Sequence, residues 1–394
     1  LKNRLSGPDI DAIYEDKEGM IWIGTFSGID RLDPKSGTIT HQQIKYDNKI
    51  DDFKVDVEAI IEADNENLWI AVWTYGLFKY NKKTLVIEYY GWQESDSTSL
   101  SNNQIFTLFK TKAGDLWVGT SDGLNLFDES NKTFKHYLMG TSVSSIQEDD
   151  KGILWAGTNN GLYKLDLKIN SISHYTKENG LPSNLIGGIL SDDKNFLWVG
   201  TSAGLVRFNS EEETFLNYDG SDGAQSDLYE TGNSYFKTKA GLLLFGSFDG
   251  ITVFDPSKIK HNTNAPNILI KGVNILNSGS NNESAPNYWR NHISNSLTLH
   301  HNQNELVFDY VGIHFTHSKR NTYKYKLEPY DQTWQQAGNQ RSARYTNLDP
   351  GDYVFKVIAA NSDGVWSEKY ASINITILPP WWQSWWAYSL YMVG

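Results

Sequence analysis

At 394 residues, with 39% apolar and 13% aromatic content, the chain can build two or three packed domains and is too rich in rings for a disordered segment. Its formal charge of −12 argues against a nucleic-acid partner, because phosphate recognition needs a basic face. With no cysteine it has no disulfide framework, thiolate metal site or cysteine nucleophile, which suits a reducing cytosol or a periplasm where stray disulfides are avoided.

The chain opens on a turn-like stretch, Leu5-Ser6-Gly7-Pro8, with no initiator Met and no signal peptide, so a piece of a longer polypeptide is expected. A phrase then recurs six times. Residues 21–29 read IWIGTFSGI, 116–124 LWVGTSDGL, 154–162 LWAGTNNGL and 197–205 LWVGTSAGL. Residues 68–77, LWIAVWTYGL, carry one inserted residue, and 243–251, LLFGSFDGI, have Leu244 in place of Trp. Trp22, Trp69, Trp117, Trp155, Trp198 and Leu244 therefore stand 38 to 48 residues apart. A period in the forties with several short strands per unit marks a propeller blade.

The fourth unit shows the pattern best. A β-branched run at 143–148 precedes a tight Asp149–Gly152 turn, and further strands are expected at 153–158, 162–166 and 171–176. Four antiparallel strands joined by short turns make one blade. The Trp and the Gly two residues later share a face of their strand. The Trp fills the gap between neighbouring sheets, and the Gly lets the adjacent backbone come close. Each buried ring is worth roughly 1.5–3 kcal/mol, so these Trp residues are read as core rather than ligand platforms.

Antiparallel alternation sorts the loops by face. The Asp-rich turns at 16–19, 64–67, 149–152 and 192–195 lie on one face. They are read as turn chemistry rather than calcium sites, because the acids are spread one turn per blade and the third and sixth copies lack them. The opposite face carries the Thr-x-x-Gly turns and the blade-to-blade connections at 47–56, 91–103, 140–141, 178–184 and 219–230. These vary while the strands hold their pattern, so recognition is expected there. The sixth unit shows no fourth strand after 250–254; its closing strand, and a seventh blade, are expected upstream of Leu1.

Composition changes near Ala265-Pro266. Strands are expected at 268–276, 296–301, 305–315, 323–328, 344–348, 353–360 and 372–378, with 277–287 as a polar loop and strong turns at 349–351 and 361–364. Seven strands in this length suggest a β-sandwich. His314 and His317 fall on opposite faces of a strand with no third ligand close in sequence, and they and His300-His301 are read as surface or packing residues. Pro379-Pro380 then precedes Trp381, Trp382, Trp385 and Trp386 in an uncharged run. Clustered Trp and Tyr favour the membrane–water interface, so the start of a transmembrane helix is expected. The fold class is thus all-β: a β-propeller (1–264), an Ig-like β-sandwich (265–378) and the beginning of a transmembrane helix (379–394).

Sugars are bound by aromatic faces that cover C–H surface beside polar groups that satisfy hydroxyls. On the variable face the inserted turn offers Trp73 and Tyr75, a polar connection offers Trp92, and equivalent turns offer Phe26 and Phe248. Asp122, Asn159, Asn160 and Asp249 are their polar neighbours in the pattern. The competing reading is that these rings pack against an upstream part of the propeller. No metal, cofactor or catalytic residue is assigned.

The LWxGTxxGL phrase resembles the two-component regulator propeller repeat. Residues 296–378 resemble the Y_Y_Y domain, through Asn304–Phe308, Tyr323-Lys324-Tyr325-Lys326-Leu327-Glu328, Trp334, the Arg344-Tyr345-Thr346-Asn347-Leu348-Asp349-Pro350-Gly351-Asp352-Tyr353 run, Asn361–Trp366 and Ile377–Trp382. Both occur in hybrid two-component sensors. The resemblance implies a periplasmic region, at the inner membrane of a Gram-negative bacterium, that senses an oligosaccharide. It also implies a homodimer through the Y_Y_Y domain and a single helix leading to a cytoplasmic histidine kinase, which this chain lacks. A propeller that binds only protein, or one that cleaves glycans through an Asp/Glu pair, are the alternatives.

Overall fold

The computed structural model describes residues 4–46, 49–52, 55–224, 229, 233–260, 262–276, 288–290, 296–314 and 318–383. These form two compact units, Leu1–Ile259 and Lys260–Gly394. Among the described residues both are built from strands, with only short 3-10 turns besides.

In the first unit five four-stranded antiparallel sheets follow one another in chain order, and a three-stranded sheet of Tyr235–Lys237, Leu243–Ser247 and Gly250–Phe254 comes sixth. The fourth blade runs Val143–Glu148, Leu154–Thr158, Gly161–Asp166 and Ser171–Tyr175, close to the expected bounds. A hairpin that the repeat pattern does not signal runs into the 47–56 connection: Gln43–Tyr46 pairs with Lys49–Asp52.

The recurring phrase has a physical role at each position. Trp22, Trp117, Trp155 and Trp198 are fully buried. Their rings reach the following blade: Trp22 lies 6.1 Å from Tyr80, Trp69 5.1 Å from Phe127, Trp155 5.5 Å from Phe208 and Trp198 4.7 Å from Phe254. Beside them the Gly permits backbone contact. A Cβ on Gly24 would meet Val57 Cγ1 of the next blade at 2.6 Å, and one on Gly157 would meet Ile186 Cγ2 at 2.6 Å. The Thr closes the hairpin: Thr25, Thr120, Thr158 and Thr201 donate to the carbonyl of the Gly three residues on, which takes positive φ.

The Asp-rich turns do more than turn. Asp16, Asp149 and Asp192 are buried, and each accepts two backbone N–H bonds within its own turn through Oδ1. Their other oxygen accepts the indole N–H of the Trp six residues later, at 2.8 Å for Trp22, 3.1 Å for Trp155 and 3.0 Å for Trp198. In the third blade that position is Thr111, and the buried Trp117 Nε1 has no partner among the described residues.

The second unit is a sandwich of two sheets. One orders the strands Tyr288–Arg290, Asn267–Ile275, Leu306–Ile313 and Ser342–Tyr345. The other orders Ser296–Leu299, Ala371–Ile377, Gly351–Ala360, Thr322–Glu328 and Gln335–Gly338. Tyr288–Arg290 and Gln335–Gly338 are additions to the expected seven strands; the first is three residues long, too short to show a period, and the second is polar. The core stacks Phe308 on Phe355 at 4.0 Å, with Tyr310, Tyr323 and Tyr345 buried around them. Asn361 ties the strand-end turn to the start of the unit by donating to the carbonyls of Asn262 and Asn264. His314 Nε2 accepts from Asn262 Nδ2.

Trp381 and Trp382 form an exposed 3-10 turn, with Trp382 edge-on to His301 at 5.3 Å. No helix among the described residues is long and apolar enough to cross a membrane. The rest of the expected membrane helix, 384–394 with Trp385 and Trp386, lies outside the described residues, as do His317, the 277–287 loop and parts of the 47–56 and 219–230 connections.

Candidate functional site at the propeller axis

The first strands of neighbouring blades stand side by side, which places them along the propeller axis. Each of the first five carries a register break at the same point, between Ile10 and Ala12, Val57 and Ala59, Ile105 and Thr107, Val143 and Ser145, and Ile186 and Gly188. The residue in each break is Asp11, Glu58, Phe106, Ser144 or Gly187. A bulge leaves one residue out of the ladder and re-aims its side chain, a device frequent beside functional sites. All five breaks lie at the end of the strand that leads from the variable connections.

The sixth blade reaches across to this point. Asn233 donates its amide N–H groups to the bulge carbonyls of Glu58, at 2.8 Å, and Phe106, at 3.1 Å. Two residues on, the Tyr235 ring fills the space over Gly188, where a Cβ would come within 2.4 Å of it. Its hydroxyl bonds to Thr107 and the backbone of Ile146, and burial raises its pKa despite those bonds.

On the second blade the inserted residue of the turn carries Trp73 over the bulge. Its ring lies 5.6 Å from Phe106 at 58°, and its backbone N–H donates to the Asp56 carbonyl. Three carboxyls gather beside this ring pair. Burial first, then the charges of Asp56 and Asp11, push the Glu58 carboxyl up to about 7. Burial and Asp11 raise Asp56, and burial and Asp9 raise Asp11. Among the described residues no ion pair neutralises them, and Asp56 Oδ1 is buried without a partner. Ionised carboxylates accept hydrogen bonds from hydroxyls, and a neutral Glu58 can donate one. An aromatic wall, acceptors and one donor thus meet at one place.

The sequence-derived site residues divide into groups. Trp73 is half-buried and belongs to this cluster. Phe26, Tyr75, Trp92 and Phe248 are exposed on the same face, with the Trp92 N–H donating to Asn103 Oδ1 at 2.7 Å. Among the described residues no ring contact joins these four to one another or to Trp73. Asp122 Oδ1 accepts the Gly140 N–H at 2.7 Å, and Asn159 Oδ1 accepts the Ser142 N–H at 3.3 Å, so both hold the short connection between the third and fourth blades. The Asn160 carbonyl pairs with His174 Nε2 at 2.6 Å, and Asp249 is exposed. Asp11, Asp56, Glu58, Phe106 and Asn233 were not found by sequence reasoning. The one signal available was a Glu between Val57 and Ala59, at the otherwise apolar start of its strand.

The profile of the Two component regulator propeller matches residues 4–27, 99–122, 137–160 and 180–203, and that of the Y_Y_Y domain matches residues 314–378. The second and sixth blades escape the propeller profile; they are the two with the inserted residue and with Leu244. A curated Formosa agariphila protein named as a histidine kinase is 26% identical, over 94% of this chain and 28% of its own length. Among solved structures, the extracellular domain of a B. thetaiotaomicron protein described as a hybrid two component system superposes with a TM-score of 0.74 at 23% identity. That match covers 94% of this chain and 50% of the other. A second B. thetaiotaomicron extracellular domain gives a TM-score of 0.52 at 23% identity, covering 96% and 51%. The chain therefore spans about half the length of these solved relatives and less of the kinase.

Proposed function

For a chain that carries two-component regulator propeller repeats followed by a Y_Y_Y domain, we propose the role of ligand-sensing region of a hybrid two-component sensor histidine kinase. In this reading the region lies on the periplasmic face of the inner membrane of a Gram-negative bacterium. The ligand is an oligosaccharide bound over the propeller axis. Its C–H face lies on Trp73 and Phe106, and its hydroxyls pair with Asp11, Asp56 and Glu58. The sandwich joins a second copy and passes the signal through one helix to a kinase elsewhere in the polypeptide.

The observation that carries this reading is the juxtaposition of Trp73 on Phe106 with three carboxyls that no cation neutralises among the described residues. That charge favours neutral or amine-bearing sugars over uronic or sulfated ones, since like charges brought together there would repel. Calorimetry with neutral and acidic oligosaccharides tests it. Trp73→Ala is expected to weaken binding by about 5- to 30-fold, as loss of a stacked ring costs on the order of 1–2 kcal/mol. Unchanged affinity in a folded Trp73→Ala protein would place the ligand elsewhere.

A second reading has one observation in its favour. A carboxyl held near neutrality beside ionised ones is the arrangement of a glycoside-cleaving acid pair. Product analysis on the calorimetry samples separates the two: intact oligosaccharide after prolonged incubation supports a binder, and shortened chains that vanish with Glu58→Gln support an enzyme.

A further inference from the structure

The second blade keeps the Trp of the repeat in its usual pose but without its usual acceptor. Trp22, Trp69 and Trp155 meet a ring of the next blade edge-on at 72°, 74° and 73°, with centroids 6.1, 5.1 and 5.5 Å apart. A cation from the paired strand lies over each, Arg31 at 5.7 Å, Lys79 at 5.4 Å and Lys164 at 5.6 Å. The three indole N–H groups therefore point the same way within their blades. In the first, fourth and fifth blades that N–H donates to the Asp six residues back. In the second blade Glu62 pairs with Leu68 as Glu15 pairs with Ile21, so Ala63 holds the place of Asp16. The adjacent Asp64 does not replace it, because its oxygens accept the Glu66 and Asn67 backbone N–H groups and the Asn67 side chain.

The place of that carboxylate is open. A pocket of 460 Å³ lies between the second and third blades, lined by Ala63, Trp69, Lys110, Asp115, Leu116 and Phe127 among others. Trp69 is 4% exposed, and its Nε1 has no hydrogen-bond partner among the described residues. Trp117 also lacks an acceptor there, but its Nε1 is sealed inside the protein, whereas Trp69 borders the pocket. Lys110, from the third blade, brings its ammonium to the same spot by donating to the Ala63 carbonyl. An ammonium has three donors, and among the described residues Lys110 forms no ion pair. Indole and ammonium donors thus converge where the first, fourth and fifth blades hold a carboxylate.

We infer that this pocket binds a small monocarboxylate, whose carboxylate takes the place of the absent Asp and accepts from Trp69 Nε1 and Lys110 Nζ. The other lining groups choose among carboxylates. Asp64, Asp115, Asp128 and Glu129 also line the pocket, and all four are exposed. Turn N–H groups and the Asn67 and Asn131 side chains hold Asp64 and Asp128 below the usual carboxylate pKa, so both stay ionised. Such acids accept hydrogen bonds from hydroxyl or ammonium groups and repel a second negative charge. The ligand is therefore a carboxylate with hydroxyl or amino groups at its far end, and not a di- or tricarboxylate. The pocket lies beside the turns that join strands one and two, at the other end of the first strands from the bulges at Glu58 and Phe106. It is a second site, and its occupancy does not depend on what binds over the axis.

The indole N–H resonances of the full chain, labelled with 15N-tryptophan, read the site directly, the Trp69 signal being assigned by its loss in Trp69→Phe. Glucuronate is the probe, glucose its neutral counterpart and citrate the tricarboxylate. Glucuronate should move the Trp69 signal saturably to low field, and glucose and citrate at the same concentrations should leave it in place. Lys110→Gln, a change at an exposed side chain, should weaken the effect about tenfold, as one charge-assisted bond is lost. Ala63→Asp supplies the carboxylate from the chain itself. It should set the Trp69 signal at low field with no probe added and make it insensitive to glucuronate. Thermal unfolding checks that both variants fold, and Lys110→Gln decides alone if Ala63→Asp does not. An unmoved Trp69 signal at about 50 mM glucuronate, a concentration that would half-fill even a very weak site, would overturn the inference. So would an equal response to glucose or citrate, an undiminished response in Lys110→Gln, or one that persists in folded Ala63→Asp.

Discussion

Replacing Asp149 by Ala removes three acceptor contacts at once and isolates the contribution of the Asp–Trp link. Asp149 takes the Lys151 and Ile153 N–H groups at 2.9 and 3.0 Å and the Trp155 indole N–H at 3.1 Å. The two turn N–H groups sit at the surface edge, where water can replace the carboxylate, so their loss costs little. Trp155 is fully buried and cannot reach water. Its orphaned donor costs about 1–3 kcal/mol, to which the lost charge-assisted bond adds, so a loss of about 2–4 kcal/mol is expected. The third blade supplies the converse experiment. Trp117 Nε1 already lacks a partner there among the described residues, and Thr111 stands six residues before it, where the first, fourth and fifth blades have Asp. Thr111→Asp should therefore stabilise by about 1–2 kcal/mol. Calorimetry on the propeller transition reads both, at roughly 2–4 °C per kcal/mol for a unit of this size. If Asp149→Ala and Thr111→Asp both leave the transition within about 0.5 kcal/mol of the parent, the range of a neutral surface change, the link is not a source of stability.

Four further outcomes are expected. Glu58 has a folded pKa of about 7 against 4.5 for the free group, so the folded state holds the extra proton between these values; stability should fall as pH rises from about 4.5 to about 7, and Glu58→Gln should abolish that fall in urea titrations. Burial would raise Asp16, but the Trp22 indole, the Met20 and Glu18 N–H groups and Lys82 outweigh it and lower its pKa. Its contribution is therefore present above the usual carboxylate pKa and lost as pH falls through the folded value, and Asp16→Asn should flatten the acid limb of the stability curve. Gly157→Ala, whose Cβ would lie 2.2 Å from Ser145 Oγ and 2.6 Å from Ile186 Cγ2, should destabilise by about 1–3 kcal/mol, whereas a Gly19→Asn change at an open, positive-φ turn should cost under about 1 kcal/mol by the same thermal assay. If the sandwich carries self-association, residues 1–264 should sediment as a monomer under conditions where the full chain shows a dimer; equal behaviour would remove the sandwich from that role.

The blades could be read from the sequence because their stability is local and repeated. Trp, Gly, Thr and the positive-φ Gly act within one hairpin, and each copy spells the same four-strand unit whatever surrounds it. The sandwich was legible in its seven longer strands, whose buried Tyr and Phe alternate with period two; Tyr288–Arg290 is too short to show a period, and Gln335–Gly338 is polar. The Asp six residues before the Trp was visible but carried no meaning until the turn brought its carboxylate under the indole.

The axial cluster belongs to tertiary structure alone. Asp11, Glu58 and Phe106 become equivalent only when strand pairing reveals the bulge, and a register slip leaves no mark on residue identity. Asn233 reaches Glu58 and Phe106 across more than a hundred residues, a contact that the arrangement of the blades around the axis creates. Trp73 could be singled out in the sequence because it interrupts a repeat, but what it faces was decided by the packing of the next blade. Local chemistry therefore determined the units and their turns, while the site depends on distances set by the assembly of those units around an axis.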